Sequence, residues 1–171
     1  MRKTLCFTAL AAVLSAAASA ATPDVPEAVR PPAGHKMALH TVGVGEITYE
    51  CRLKAGTTDA HEWAFVAPVA TLADKDQKPV GKYYAGPTWE AADGSKVTGK
   101  QVATAPAAPG NIPLQLVKAE PVTGSGAMSG VTYIQRLNTQ GGVAPADPCA
   151  AAMIGAKKQV SYRADYLFYK M

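Results

Sequence analysis

The segment Val160 to Tyr169 alternates without a break. Val160, Tyr162, Ala164, Tyr166 and Phe168 fall on one side, and Ser161, Arg163, Asp165, Leu167 and Tyr169 on the other. A period of two puts successive side chains on opposite faces of a strand, which no helix can reproduce. Glu46 to Arg52 repeats the pattern, with Ile47, Tyr49 and Cys51 on one face and Glu46, Thr48, Glu50 and Arg52 on the other. Past the first twenty residues, no stretch holds apolar residues at helical spacing for three turns. The expected fold is therefore all-β, mostly antiparallel, and either closed as a barrel or stacked as a sandwich.

Shorter strand segments are expected at Glu62–Val66, Ala70–Ala73, Thr88–Ala91, Lys96–Thr104, Ile112–Ala119 and Val131–Leu137. Between them lie Asp59, the cluster from Asp74 to Pro79, Asp93-Gly94, Pro109-Gly110, Gly124–Gly126 and Gly141-Gly142, which is turn chemistry at strand-length intervals. One short helix is expected at Pro148–Ile154, with proline suited to a first turn and Gly155 to a stop.

The chain of 171 residues divides into three parts. Met1 to Ala20 reads as an export signal: Arg2 and Lys3, then an apolar run from Leu5 to Leu14, then the small-residue end Ala18-Ser19-Ala20. That run is too short to span a bilayer, and no later segment is both long and apolar enough, so no transmembrane segment is expected. Residues 21–36 carry Pro23, Pro26, Pro31 and Pro32 and read as an extended arm. A single β-rich domain is expected from Met37 to Met171, in a periplasmic or extracellular setting.

Of three cysteines, Cys6 leaves with the signal, and Cys51 and Cys149 are expected to pair in a disulfide-permitting compartment. The formal charge of +4 also belongs largely to the signal, because Arg2 and Lys3 contribute two of the 17 basic residues. The remaining Lys and Arg are scattered, with only Lys157-Lys158 adjacent, so no basic stripe for nucleic acid exists.

The chemical motifs are sparse. Gly124-Ser125-Gly126 with Gly130 has neither the spacing nor the following helix of a phosphate loop. There is no Gly-x-Ser-x-Gly elbow, HExxH helix or Cys-x-x-Cys pair. The three histidines, His35, His40 and His61, lack short ligand spacing, so no metal or other cofactor is expected. Gly86 to Ser95 is the densest polar and aromatic segment, and places Trp89 and Glu90 on a short strand between two reversals. Neighbours on a strand face opposite ways, so a buried Trp89 turns Glu90 to solvent. Arg136 offers a planar fork, with an internal ion pair as the expected partner. The tyrosines Tyr49, Tyr83, Tyr84, Tyr133, Tyr162, Tyr166 and Tyr169 could line a pocket or serve as ordinary strand residues.

Several of these stretches occur together in a recognisable order: GEITYEC from Gly45 to Cys51, Trp63, AGPTWEAADGSKVTGK from Ala85 to Lys100, GVTYIQRLNTQGGVAPADPC from Gly130 to Cys149, and YRADYLFY at the end. Together they resemble the exported bacterial and fungal family catalogued as domain of unknown function 3455. The resemblance implies an exported single domain without an established activity. Similar sequences often carry a histidine just before the Gly-Pro-x-Trp turn, where this chain has Tyr83.

The leading functional expectation is a non-enzymatic β domain that binds a small or polymeric ligand in an aromatic-lined cleft, with Trp89, Tyr83, Tyr84 and Arg136 as its contact residues. A second reading is a hydrolase or isomerase using Glu90, Asp93 or His61 as acid and base, at least two of which must converge. A third is a structural or surface-interaction module.

Overall fold

The computed structural model describes residues 25–122 and 124–171. The segment expected as an export signal and the first residues of the expected arm lie outside them. Eight strands follow in order: β1 (Lys36–Leu53), β2 (His61–Ala73), β3 (Pro79–Tyr84), β4 (Thr88–Ala91), β5 (Lys96–Ala105), β6 (Leu114–Ala119), β7 (Val131–Gly141) and β8 (Lys157–Lys170). Each pairs antiparallel with the next, and β8 returns to pair with β1 from Lys36↔Lys170 to Glu50↔Lys157. The result is a closed up-and-down barrel. Closure removes both sheet edges, which a sandwich would leave to be protected by other means.

The alternation seen in the sequence becomes inside and outside. Tyr162, Ala164, Tyr166 and Phe168 of β8 and Ile47, Tyr49 and Cys51 of β1 all belong to the barrel core. Gly43 of β1 lies beneath Tyr166, where an added Cβ would stand 2.6 Å from the ring. At Gly45 an added Cβ would stand 2.0 Å from the Val69 carbonyl oxygen, so a side chain there would collide with backbone.

Bulges change which residues face inward. In β2, Thr48 pairs with Ala67 but Tyr49 with Phe65, leaving Val66 as the extra residue. Trp63 is buried on one side of that break, and Pro68, Ala70 and Leu72 on the other. This strand was expected as two segments; it is one. Pro68 sits next to the bulge and just before the stretch that pairs with β3, where a missing N–H disrupts the ladder least.

The strand β3 was hidden by its composition, since Pro79 and Gly81 look like turn residues. Gly81 is needed because a Cβ there would lie 2.3 Å from the Glu90 carbonyl. The preceding reversal is tied by Asp74, whose Oδ1 accepts from the backbone N–H groups of Asp76 and Lys78 at 2.9 and 3.0 Å. The helix expected at Pro148–Ile154 is only a 3-10 turn, Ala151–Met153. Cys149 is tethered to Cys51, and the backbone N–H groups of Gly155 and Cys51 donate to Cys51 and Ala156 carbonyls, so the chain re-enters the sheet at once. Likewise β6 starts at Leu114 rather than Ile112, because Pro113 intervenes and the Ile112 N–H donates to Gly141.

The proline-rich stretch is more structured than an extended arm. Glu27–Val29 forms a 3-10 turn, and Val29 is fully buried against Ala105 and Leu116 in a second cluster. The Val29 carbonyl accepts from Gln135 Nε2 at 2.6 Å, and the His35 ring stands edge-on to Tyr133 at 4.9 Å. The cause lies in β5, where a bulge between Gln101 and Ala103 breaks the register. Ala103 and Ala105 then join Leu114 and Leu116 in a patch apart from the barrel core, and the arm covers it.

One end of the barrel is filled. Trp89 stacks on Tyr83 at 4.8 Å and meets Tyr166 and Phe168 edge-on at 5.8 and 6.4 Å. Leu72, Val97, Ile134 and Met128 complete this packing. Burial of each such side chain contributes roughly 1.5 to 3 kcal/mol. Met128 comes from the β6–β7 loop, which Asp93 and Ser95 anchor: Ala127 N–H donates to Asp93 Oδ2 at 2.7 Å, and Met128 N–H to Ser95 Oγ at 3.1 Å.

Candidate functional site

The other end of the barrel is hollow. A cavity of about 320 Å³ opens there, within the lower part of the range that holds small ligands. Its floor is made by Ile47, Tyr83, Tyr162 and Tyr166, all buried. Its rim is made by Phe65, Pro87, Gln101 and Pro113, all exposed. Phe65 is 57% exposed, unusual for a phenylalanine, and stands edge-on to Tyr49 at 6.2 Å.

The sequence explains this asymmetry. Tyr162 and Tyr166 sit four residues apart on one face of β8, so both hydroxyls enter the barrel, 3.2 Å from each other. Tyr49 adds a third hydroxyl from β1 and donates to the Gly142 carbonyl at 2.7 Å, tying the β7–β8 loop to the cavity wall. That loop is held a second time by the Cys51–Cys149 disulfide, and a third by Trp63 Nε1, which donates to the Asp147 carbonyl at 2.8 Å. The fourth hydroxyl is that of Tyr83, on β3.

Arg136 of β7 points into the same space, half-buried. Its Nε and Nη2 both donate to the Pro113 carbonyl, at 3.2 and 2.9 Å. The internal ion pair expected for it is not made: among the described residues, no carboxylate salt bridge reaches this guanidinium. A backbone carbonyl takes the carboxylate's place because the β5–β6 connection folds Pro113 over the cavity rim.

Burial pushes the Tyr83 and Tyr49 hydroxyls up from the ordinary tyrosine range, with the Arg136 charge pulling the other way. Burial raises Tyr162 to about 12, partly opposed by its bond to Tyr166. Tyr166, the most enclosed, is raised well above its ordinary value by burial first and by its tyrosine neighbours second. All four hydroxyls therefore stay protonated at neutral pH and are available as hydrogen-bonding groups.

The four expected contact residues divide. Tyr83 and Arg136 line the cavity. Trp89 lies behind it in the packed half, 1% exposed, and touches the cavity floor from behind, stacked on Tyr83 and edge-on to Tyr166. Tyr84 is on the outer face, where its hydroxyl donates to Glu90 Oε2 at 2.7 Å. Glu90 also meets Lys82 and Lys96, both at 3.3 Å, and its carboxyl is held below the usual range by the Tyr84 hydrogen bond first and the lysines after it.

Asp93 is a turn residue. Its Oδ1 accepts from the Ser95 N–H and hydroxyl, at 2.9 and 2.5 Å, and these bonds with that from Ala127 lower its carboxyl below the ordinary value. His61 opens β2 opposite Leu53. None of Glu90, Asp93 and His61 lines the cavity. No group of three or more His, Cys, Asp or Glu with metal-binding geometry occurs among the described residues.

Phe65, Gln101, Gln115, Ile112 and Pro113 line the cavity without being expected there, and of the tyrosines expected either in a pocket or as ordinary strand residues, Tyr49, Tyr162 and Tyr166 line it beside Tyr83. The signal for the tyrosines was present: Tyr162 and Tyr166 share the apolar face of one strand, and Tyr49 the apolar face of another. Phe65 carries the same signal, two residues from Trp63 on one strand and paired with Tyr49, whereas its exposure at the rim leaves no mark in the sequence.

The architecture defines a closed eight-strand meander with one filled end and one hollow end. The chain belongs to the family described as protein of unknown function DUF3455, whose match covers residues 32–170. Comparisons with curated proteins and with solved structures find no match.

Proposed function

We propose that this exported protein is a binding module that takes one small molecule into the hollow end of its barrel. The observation that carries the reading is the convergence of four tyrosine hydroxyls and one guanidinium in a single cavity built on rigid strands. Side chains placed by paired strands are held in position before a guest arrives, which lowers the ordering cost of binding. A blind cavity at a barrel end suits a small molecule better than a polymer, which needs a groove open at both ends.

An acid–base enzyme using Glu90, Asp93 or His61 has less support. Glu90 and Asp93 are engaged by Tyr84 and by Ser95 and Ala127, away from the cavity lining. The cavity itself offers tyrosines whose raised values make them poor bases at neutral pH. A purely structural role leaves the hollow end unexplained.

The test is a tryptophan-fluorescence titration of a Trp63→Phe variant, in which Trp89 on its Tyr83 stack becomes the reporter. A panel of small sugars, alcohols, amides and organic acids should contain compounds giving saturable changes and a raised melting temperature. A flat response across the panel in both measurements refutes the reading.

A further inference from the structure

We infer that the guest is a small monocarboxylate, its carboxylate seated against Arg136 and its compact apolar body under Phe65. This rests on the binding reading above and adds the chemical class.

Charge comes first. Among the described residues, Arg136 is the only charged side chain lining the cavity, and no Asp, Glu, Lys or His accompanies it there. A half-buried guanidinium with no opposing charge has given up part of its hydration without a full return. An anion entering the cavity supplies what is missing.

Hydrogen bonding points the same way. A guanidinium has five N–H donors, and the Pro113 carbonyl engages the one on Nε and one of the two on Nη2, leaving the other and both on Nη1 for a guest. The Tyr83 hydroxyl lies on the buried floor with no bond to any described residue. The Tyr162 and Tyr166 hydroxyls share one hydrogen between them, so one O–H of the pair remains to donate. Tyr49 is already spent on Gly142. The unspent groups are mainly donors, and the guest they fit is rich in acceptors. A carboxylate accepts at about four lone-pair sites and donates none.

A phosphate monoester fits less well. It carries roughly −1.5 to −2 charge at neutral pH, and no second cation among the described residues lines the cavity. The body of the guest is set by Ile47, Val66, Pro68, Pro87 and Ile112, with Phe65 at the rim. A cavity of about 320 Å³ suits a single ring or a short branched chain.

Isothermal titration of the full protein at pH 7 with benzoate, benzamide, benzyl alcohol and phenyl phosphate tests this. Benzoate is expected to bind at least tenfold tighter than benzamide or phenyl phosphate. Arg136→Gln should weaken benzoate at least tenfold while leaving benzamide within twofold. Arg136→Lys, which keeps the charge, should retain part of the benzoate preference. Tyr83→Phe, with near-UV circular dichroism confirming the fold, should weaken benzoate three- to tenfold, and carries the test if Arg136→Gln does not fold. Equal binding of benzoate and benzamide, tighter binding of phenyl phosphate, or benzoate binding indifferent to both variants would overturn the carboxylate assignment and leave the binding module standing. Absence of saturable heat from all four probes, together with a flat fluorescence panel, would overturn both.

Discussion

Breaking the Cys51–Cys149 bridge is the perturbation whose size follows most directly from the fold. The two residues are 98 apart in sequence. In the chain-entropy treatment, a closed loop of this length stabilises the protein by about 4.7 kcal/mol at 25 °C, through restriction of the unfolded chain; native bridges removed by mutation cost roughly 2 to 5. On the folded side little should change at first, because Cys51 also forms backbone pairs with Ala156 and Gly155, each at 2.9 Å. At about 2 to 4 °C per kcal/mol for a domain of this size, the full entropic value corresponds to a melting temperature lower by roughly 9 to 19 °C. Urea denaturation of the oxidised protein, the same protein in reductant, and a Cys51→Ala/Cys149→Ala variant gives the measurement. Because the effect acts on the unfolded ensemble, the dependence of stability on urea should also steepen when the bridge is lost, as the freed chain exposes more surface. A loss below about 1 kcal/mol with unchanged slope would refute the reasoning, since that loss is well under the range the loop length predicts.

Two further outcomes are expected. Tyr162 ionises at about 12 when folded and near 10 when unfolded, so its contribution is complete below pH 10 and disappears as pH rises toward 12; urea melts at pH 9 and pH 11.5 should show a fall of more than about 2 kcal/mol, because Tyr166, Tyr83 and Tyr49 are raised too, and Tyr162→Phe should remove about 2 kcal/mol of it. Gly45→Ala should cost more than about 3 kcal/mol or abolish soluble expression, because its Cβ would lie 2.0 Å from a backbone oxygen, whereas Gly34→Ala, with open space around it and a φ of +90°, should cost only about 1 to 2 kcal/mol in thermal melts.

Much of the fold was legible because a barrel enforces the same rule on every strand. Where one face is buried and one is wet, as in β8, composition alternates and the inward set can be read off directly. Legibility failed where the rule was locally suspended. Pro68 and the bulge at Val66 made one strand look like two, and Pro79 with Gly81 made β3 look like a turn. Closure itself is a pairing between strands at opposite ends of the domain and leaves no local mark. The site was half legible for the same reason. Opposite orientation of Trp89 and Glu90 follows from the pleat, and Glu90 does sit on the outer face with Tyr84. The neighbouring Tyr83 and Tyr84 had been read together as cleft residues, though the same pleat separates them. The match between Arg136 and the Pro113 carbonyl depends on how a loop folds over the rim, which no periodicity encodes.

The seam between β1 and β8 has a mechanical consequence. Lys36 and Lys170 face each other at one extremity of that seam, and the sulfur bridge crosses near the other, where Glu50 meets Lys157. Tension applied to the two ends of the folded chain would therefore peel these strands apart pair by pair, like a zip, rather than drag them past one another. Peeling stops at the covalent cross-link. Everything between Cys51 and Cys149, including β2 through β7, is shielded from the load, so a molecule tethered by its ends would yield a short, bounded length and then hold.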